Sequence, residues 1–184
     1  MRLPFQRGQM KRLLIGVLLA LPSFAGDPWE TPRSQWTQQD ATRILNASPW
    51  AKLDGRTKAI VRWDSARPVQ LAIERLNGKP AIGDHASSYV IAVVGLTVPE
   101  RSQKPEAYLT ATGRHRIPSV ETTILDNAIY FFFPRTELLQ PIVFRLPLGV
   151  KLGNDIEFAA RIGAVDLKTK FSLRSMTYLG KLEM

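Results

Sequence analysis

The chain contains no cysteine among its 184 residues, and this absence excludes several kinds of chemistry. Without thiols the protein cannot form a disulfide framework, use a cysteine nucleophile or bind zinc through thiolates. It also cannot be a bacterial lipoprotein, because no cysteine follows the N-terminal apolar run. A cysteine-free chain is compatible with export, but its stability must then come from packing alone.

Residues and motifs of catalytic sites are equally scarce. The chain has two histidines, His85 and His115. It lacks a glycine-rich phosphate loop, a G-x-S-x-G nucleophile elbow and an H-E-x-x-H metal motif. The sequence therefore predicts no cofactor and no metal, and a non-catalytic protein is favoured over an enzyme.

One enzymatic alternative stays open at the sequence level. Asp84 lies beside His85, with Ser87 and Ser88 close behind as candidate nucleophiles. These residues would suit a hydrolase of an envelope polymer. Side chains of adjacent residues in an extended loop point apart, however, so a solvated loop is the favoured interpretation.

The sequence also lacks an apolar run long enough to cross a membrane as a helix. The run Leu13–Leu21 is too short, and four basic residues precede it: Arg2, Arg7, Lys11 and Arg12. A basic start, a short apolar run and small residues before a cleavage point are typical of a secretory signal peptide. We therefore expect residues 1–25 to be removed before Gly26, which places the protein in the periplasm or outside the cell. Retention of this segment as an anchor is the alternative.

The net positive charge is small once residues 1–25 are excluded. The formal charge falls from +9 to +5, since residues 1–25 carry four basic residues and no acidic one. The remaining basic clusters are modest: Arg114 with Arg116, and Lys168 with Lys170. A solvated surface of mixed charge accounts for them, so nucleic acid is not an expected partner.

Residues Ser119–Arg135 carry the organising strand pattern of the sequence. Asp126 and Asn127 tolerate the left-handed backbone of a tight turn, and the flanking runs are rich in β-branched and aromatic residues. We expect a β-hairpin in which Leu125 faces Ala128. One face is predicted to lie in the core and carries Val120, Thr122, Ile124, Ile129, Phe131 and Phe133. The other face is expected to be partly covered and carries Glu121, Thr123, Leu125, Ala128, Tyr130 and Phe132.

Two short amphipathic helices are predicted. The first begins after Thr37, a suitable N-cap with Asp40 three residues on, and it ends before Pro49. The second covers Pro68–Leu76, with proline at its start and Gly78 just past its end.

The remaining elements indicate an α+β protein with a mainly antiparallel β-sheet of about six to eight strands and the two helices packed on it. Further strands are predicted at Thr57–Trp63, Ser88–Leu96, Ala107–Thr112 and Pro141–Leu146. The first two of these could pair in parallel through a crossover, or antiparallel. We expect residues 26–36 to form an extended leader and residues 37–184 to form a single domain.

The C-terminal hairpin allows its register to be tested within the sequence. If Gly163 and Ala164 form the turn, Ile162 faces Val165. This register pairs opposite charges outside: Arg161 with Asp166, and Glu157 with Lys170. Inside it pairs Ile156 with Phe171, Phe158 with Thr169, and Ala160 with Leu167. A strand slipped by one residue would lose both sets of contacts, which favours this register.

All four tryptophans lie in the first third of the chain: Trp29, Trp36, Trp50 and Trp63. Clustered tryptophans can bind sugar rings or proteins, so Trp29, Trp36 and Trp50 are candidate binding residues. The favoured alternative is that they anchor the first helix and the leader to the core. Trp29 is the strongest binding candidate, because its proline-flanked leader has little else to hold it.

The passage Trp36–Ala51 resembles the opening of a group of uncharacterised exported bacterial proteins, with W-x3-D-A-x2-I-L-x2-S-P-W-A after a signal peptide. The ending Tyr178–Glu183, Y-L-G-K-L-E, is similar to theirs. This resemblance implies export and a single domain, and it carries over no activity. Together the patterns predict an exported, non-catalytic binding or structural module of the bacterial cell envelope. It would meet an envelope protein or polysaccharide through its aromatic N-terminal region or a sheet edge, and its oligomeric state stays open.

Overall fold

The computed structural model of the protein describes residues 26–79, 87–96, 104–110, 116–135 and 155–184. Five sequence predictions lie wholly or partly outside these ranges: the signal peptide at 1–25, the pair Asp84 and His85, Arg114 of the basic cluster, the end of the strand at Ala107–Thr112, and the strand at Pro141–Leu146. Within the described ranges, no helix is both long and apolar enough to cross a membrane.

The described chain contains two α-helices and eleven β-strands. The helices are α1 (Gln38–Asn46) and α2 (Arg67–Asn77). The first seven strands are β1 (Ala51–Leu53), β2 (Ile60–Trp63), β3 (Ser88–Val94), β4 (Glu106–Thr110), β5 (Arg116–Pro118), β6 (Glu121–Leu125) and β7 (Ala128–Pro134). The last four are β8 (Asp155–Ile162), β9 (Val165–Ser172), β10 (Thr177–Tyr178) and β11 (Lys181–Leu182).

These strands form three sheets in which every pair of neighbours is antiparallel. The five-stranded sheet has the order β1-β2-β3-β7-β6, the four-stranded sheet has the order β5-β4-β8-β9, and β10 and β11 form a short ribbon. The predicted α+β class and the mainly antiparallel pairing are confirmed. Several very short strands bring the described number to eleven, above the six to eight expected. The strands β2 and β3, which α2 connects, pair antiparallel, so the parallel crossover is excluded.

Aromatic side chains join the two larger sheets into a sandwich. The rings of Phe131 and Phe133 on β7 lie 5.7 and 6.3 Å from the ring of Phe158 on β8. The ring of Trp63 on β2 lies 5.5 Å from that of Phe171 on β9. All five side chains are fully buried. Because aromatic side chains bury the most apolar area per residue, these contacts define the core between the sheets.

The hairpin of β6 and β7 has the predicted register, with Leu125 opposite Ala128 and a turn in which Asp126 has φ 52°. Its predicted core face is correct on β7, where Ile129, Phe131 and Phe133 are buried. It is wrong for Val120 and Ile124, which are 66% and 52% exposed. The reason is that β6 is the outermost described strand of its sheet, so the second sheet does not cover it.

The opposite face of this hairpin is partly covered, as predicted. Ala128 and Phe132 are 7% and 8% exposed, whereas Leu125 is 43% exposed. β7 is therefore buried on both faces, whereas β6 is exposed on both.

The C-terminal hairpin of β8 and β9 has the predicted register at every pair. Arg161 Nε lies 3.0 Å from Asp166 Oδ1, as expected. Glu157 lies opposite Lys170, as the register predicts, but its ion-pair partner is Lys168, whose Nζ lies 3.0 Å from Glu157 Oε1. Lys168 is a diagonal neighbour, and a long side chain can reach across that distance on a sheet face.

Both helices begin and end as their sequences predict. Thr37 and Asp40 form a capping box at α1: the Thr37 hydroxyl accepts from the Asp40 amide at 3.1 Å, and the Asp40 carboxylate accepts from the Thr37 amide at 2.8 Å. The buried side of α1 carries Ala41, Ile44 and Leu45. α2 ends at Gly78, whose φ of 66° closes the helix in the left-handed conformation. The two helices pack against each other.

The leader at residues 26–36 is not extended, which corrects the prediction. It forms two 3-10 turns, Pro28–Glu30 and Arg33–Gln35. Asp27 Oδ1 lies 2.5 Å from the Arg43 guanidinium of α1. Proline fixes a φ that suits the first position of a helical turn, so the prolines that exclude a strand here favour these turns.

Candidate binding surface

The three tryptophans considered as binding residues lie in the core. Trp29, Trp36 and Trp50 are 9%, 2% and 0% exposed. The Trp29 ring meets the Trp50 ring edge-on at 6.2 Å, and the Arg43 guanidinium lies 5.6 Å from the Trp29 ring centre. The expectation that Trp29 stands exposed for a partner is therefore wrong, and the core-anchor alternative describes its position.

Hydrogen bonds from two of these indoles show which segments of the chain the tryptophans hold together. Trp36 Nε1 donates to the Pro28 carbonyl at 2.7 Å, which fastens the leader, and the Trp36 ring lies 5.8 Å from that of Tyr178. Trp50 Nε1 donates to the Glu183 carbonyl at 2.7 Å. Tryptophan supplies a large apolar surface and one donor, so it can join segments that are far apart in sequence. Here it joins the leader, α1 and the C-terminal segment.

The candidate catalytic residues are not brought together in the described structure. Asp84 and His85 lie outside the described ranges. Ser88 starts β3, and its carbonyl accepts from Arg135 Nε at 3.3 Å. Among the described residues, no cluster of three or more potential metal-ligating His, Cys, Asp or Glu side chains exists. The described residues therefore offer no assembled catalytic or metal centre.

The sequence did not predict the buried ion pair at the end of β2, between Arg62 and the residue that follows the strand, Asp64. Arg62 Nε and a terminal nitrogen of its guanidinium lie 2.5 and 3.0 Å from the two carboxylate oxygens of Asp64. The two residues are 9% and 1% exposed. Burial raises the pKa of Tyr130 on β7, and the nearby Asp64 carboxylate adds to that rise. The spacing Arg-x-Asp in a strand, which places both side chains on one face, was the available signal. Since each charge satisfies the other, the pair fits a structural role.

The outer face of the four-stranded sheet holds a groove of about 370 Å³. Ala159 on β8 lies between Tyr108 on β4 and Lys168 on β9, so a small side chain separates two large ones. The charged groups along the groove are largely paired with each other, through Arg161 with Asp166 and Lys168 with Glu157. Exposed pairs of this kind contribute little to stability and are typical of a solvated face.

Exposed apolar side chains lie along the outer side of β6, which we call the β6 edge and define by Val120, which directly precedes the strand, Ile124 and Leu125. These side chains are 66%, 52% and 43% exposed. Among the described strands, β6 pairs with β7 on one side and with none on the other. An added strand could form hydrogen bonds with the free backbone groups of such an edge. Its side chains could also pack against the exposed apolar residues.

The composition of β6 supplies little of the protection that edge strands commonly carry. Edge strands are commonly protected from pairing by lysine, proline or a very short length. β6 is five residues long, E-T-T-I-L, with one charged residue and no proline. The opposite edge of the same sheet, β1, has three residues and carries Lys52. The two edges of one sheet therefore differ in their capacity to accept another strand.

A second groove extends this surface. It has a volume of about 280 Å³ and runs between the N-terminal side of β6 and β4. Val120, Pro118 and Tyr108 are among its lining residues, and Tyr108 is 37% exposed. Side chains of an added segment could therefore enter a concave surface beside the β6 edge.

The sequence predicted this hairpin but placed both of its strands against the core, which is correct for β7 and wrong for β6. The signal that could have separated the strands is their composition, since A-I-Y-F-F-F-P of β7 is apolar on both faces and E-T-T-I-L of β6 is not. A strand covered on both faces reads as a continuous apolar run, which marks β7 as the inner one.

Comparisons with family models, with curated proteins and with solved structures found no match for this chain. The resemblance of Trp36–Ala51 to exported bacterial proteins therefore stays a prediction from the sequence.

Proposed function

We propose that this protein is an exported, non-catalytic binding module of the bacterial cell envelope that takes an extended segment of a partner protein at the β6 edge. The observation that carries the proposal is the exposure of Val120 and Ile124, at 66% and 52%, on a strand with one described neighbour. Exposed apolar side chains lined up along one face of a strand edge are a candidate interaction site.

An extended protein segment fits this surface better than a polysaccharide. Strand addition forms backbone hydrogen bonds along the edge, while alternate side chains of the added segment meet the apolar residues. Val120 and Ile124 lie on one face, roughly 13 Å apart at strand spacing. The tryptophans that could have bound sugar rings are buried.

The proposal of export rests on the N-terminal sequence. The basic residues, the apolar run Leu13–Leu21 and the small residues before Gly26 match a signal peptide. The resemblance of Trp36–Ala51 to exported proteins supports the same location. The alternative of a polymer hydrolase depends on Asp84 and His85, and no observation on the described residues favours it.

Paired charge substitutions on the two edges test the proposal. Ile124→Lys places a cation on the β6 edge, and Leu53→Lys places one on β1, where Leu53 is 58% exposed. Because both sites are exposed, each change should shift the free energy of unfolding by about 0.5 kcal/mol or less. Tagged protein recovered from the native envelope should retain its partner with Leu53→Lys and lose it with Ile124→Lys. Equal retention by both variants would contradict the role of the β6 edge.

A further inference from the structure

A groove of about 410 Å³ lies at the start of α2, away from the β6 edge, and its lining residues carry unused hydrogen-bond donors. Three parts of the fold form it: the start of α2, the adjacent ends of β3 and β7, and the C-terminal segment. The residues that line it are Ser65, Arg67, Gln70, Tyr89, Arg135 and the segment Leu182–Met184.

The first turn of α2 contributes uncapped backbone donors. The N-cap is Ala66, which has no side-chain acceptor, and Pro68 follows in the first turn. The amides of Arg67 and Val69 have no acceptor among the described hydrogen bonds. The N-terminus of a helix carries a partial positive charge and attracts anions through such free amides.

A buried hydroxyl is the second and independent observation. Ser65 is 4% exposed, and its Oγ has no hydrogen-bond partner. Its backbone is fixed on both sides, since its amide donates to the Val90 carbonyl at 3.3 Å and its carbonyl accepts from Gln70 Nε2 at 2.9 Å. Buried polar groups are nearly always paired, so an unpaired hydroxyl at a groove wall points to a partner that the described residues do not supply.

Two guanidinium groups add formal positive charge. Arg135 lies 4.5 Å from the centre of the Tyr89 ring, and its Nε donates to the Ser88 carbonyl at 3.3 Å. Among the described residues, none accepts a hydrogen bond from the terminal nitrogens of Arg135. Arg67 is exposed and makes no ion pair among the described contacts. Glu183 is the one carboxylate side chain among the described lining residues, so cationic side chains outnumber anionic ones.

Tyr89 supplies another donor. It lines the groove, and burial raises the pKa of its hydroxyl, with Arg135 acting in the opposite direction. A phenol with a raised pKa stays protonated at neutral pH and can donate a hydrogen bond.

We infer that this groove binds a phosphate group, with Arg67 and Arg135 as the charged donors and the start of α2 and the Ser65 hydroxyl as the neutral ones. Guanidinium groups pair with phosphate through two parallel hydrogen bonds, and the fixed backbone amides add directional donors. A carboxylate presents fewer acceptor oxygens to this set of donors, so phosphate fits it better. The inference rests on a different face from the β6 edge and does not depend on the proposed function.

Calorimetric titration of the full chain with inorganic phosphate at low ionic strength tests this site. We expect saturable binding that weakens as salt is added, because the contact is largely electrostatic. The variant Arg67→Gln, at an exposed residue, should weaken binding about tenfold, the loss of one charge-assisted bond. The variant Arg174→Gln, also at an exposed arginine, is the matched control and should bind as the parent does.

One further variant and one further ligand complete the experiment. Ser65→Ala should weaken binding severalfold, and acetate should bind at least tenfold more weakly than phosphate. The melting midpoint of each variant without phosphate shows whether it is folded. Any of three results would overturn the inference: no saturable binding to the parent, an Arg174→Gln variant that weakens phosphate binding as much as Arg67→Gln does, or acetate that binds as tightly as phosphate.

Discussion

At the scale of single residues, buried indoles hold distant segments of this protein together. Trp36 and Trp50 each fill a buried site and donate to a backbone carbonyl, one in the leader and one in the C-terminal segment. Trp29 completes the cluster by its edge contact with Trp50. The sequence could show that tryptophans are concentrated at one end. It could not show which of them are covered, because the covering residues include Tyr178 and Glu183, far along the chain.

Truncation of Trp29 should therefore destabilise the protein. Trp29→Ala removes a side chain that is 9% exposed and opens a cavity beside Trp50, so we expect a loss of about 3 kcal/mol in the free energy of unfolding. Urea unfolding measures it. Glu30→Ala, at an exposed neighbour, should change the free energy by about 0.5 kcal/mol or less. A Trp29→Ala variant as stable as the parent would show that the leader is not docked as described.

The Arg62–Asp64 pair makes a second prediction at this scale. Asp64→Ala leaves a buried guanidinium without its carboxylate and should cost about 3–5 kcal/mol. Replacement of both residues by leucine removes the uncompensated charge and should recover most of that loss. Urea unfolding of the single and double variants compares the two. A double variant no more stable than Asp64→Ala would mean that the pair does more than compensate its own charges.

At the scale of elements, local pattern predicted both hairpins and both helix caps. The register of β8 and β9 followed from complementary neighbours, and the capping box of Thr37 and Asp40 followed from four adjacent residues. These features depend on contacts within one element or between consecutive ones. The order of strands in the sheet depends on contacts between distant segments, and for that reason the exposure of β6 was not predicted. The same limit hid the groove at α2, which needs β3, β7 and the C-terminal segment together.

The C-terminal hairpin can be tested through its two faces. Phe171 is fully buried against Trp63, so Phe171→Ala should cost about 3 kcal/mol or more. Lys168 is 69% exposed in its side chain and pairs with Glu157 on the surface, so Lys168→Ala should stay within roughly 0.5 kcal/mol. Urea melts with equal effects of both changes would show that the two faces are misassigned.

At the scale of the whole molecule, a sandwich of two sheets presents two separate features, the β6 edge and the groove at α2. The core of aromatic contacts between the sheets fixes both in place. Neither requires the protein to perform chemistry. A folded scaffold whose strand β6 has one neighbour among the described strands is consistent with a role in bringing envelope components together.

Export is the first prediction at this scale. Mass spectrometry of protein from the native host should find Gly26 as the N-terminal residue, because a short apolar run after basic residues and a small-residue site are typical of cleaved signal peptides. Recovery of the full-length chain from membranes would instead favour a retained anchor.

The most direct test of the central claim is photo-crosslinking from the β6 edge in living cells of the native host. A photoreactive phenylalanine analogue at position 124 would lie on the exposed side of β6, and the same analogue at position 53 would lie on β1 as a control. We expect one discrete protein adduct from position 124 and none from position 53, because β6 is the longer of the two edges of its sheet among the described strands and lacks the lysine that β1 carries. No adduct from position 124, or the same adducts from both positions, would contradict the account.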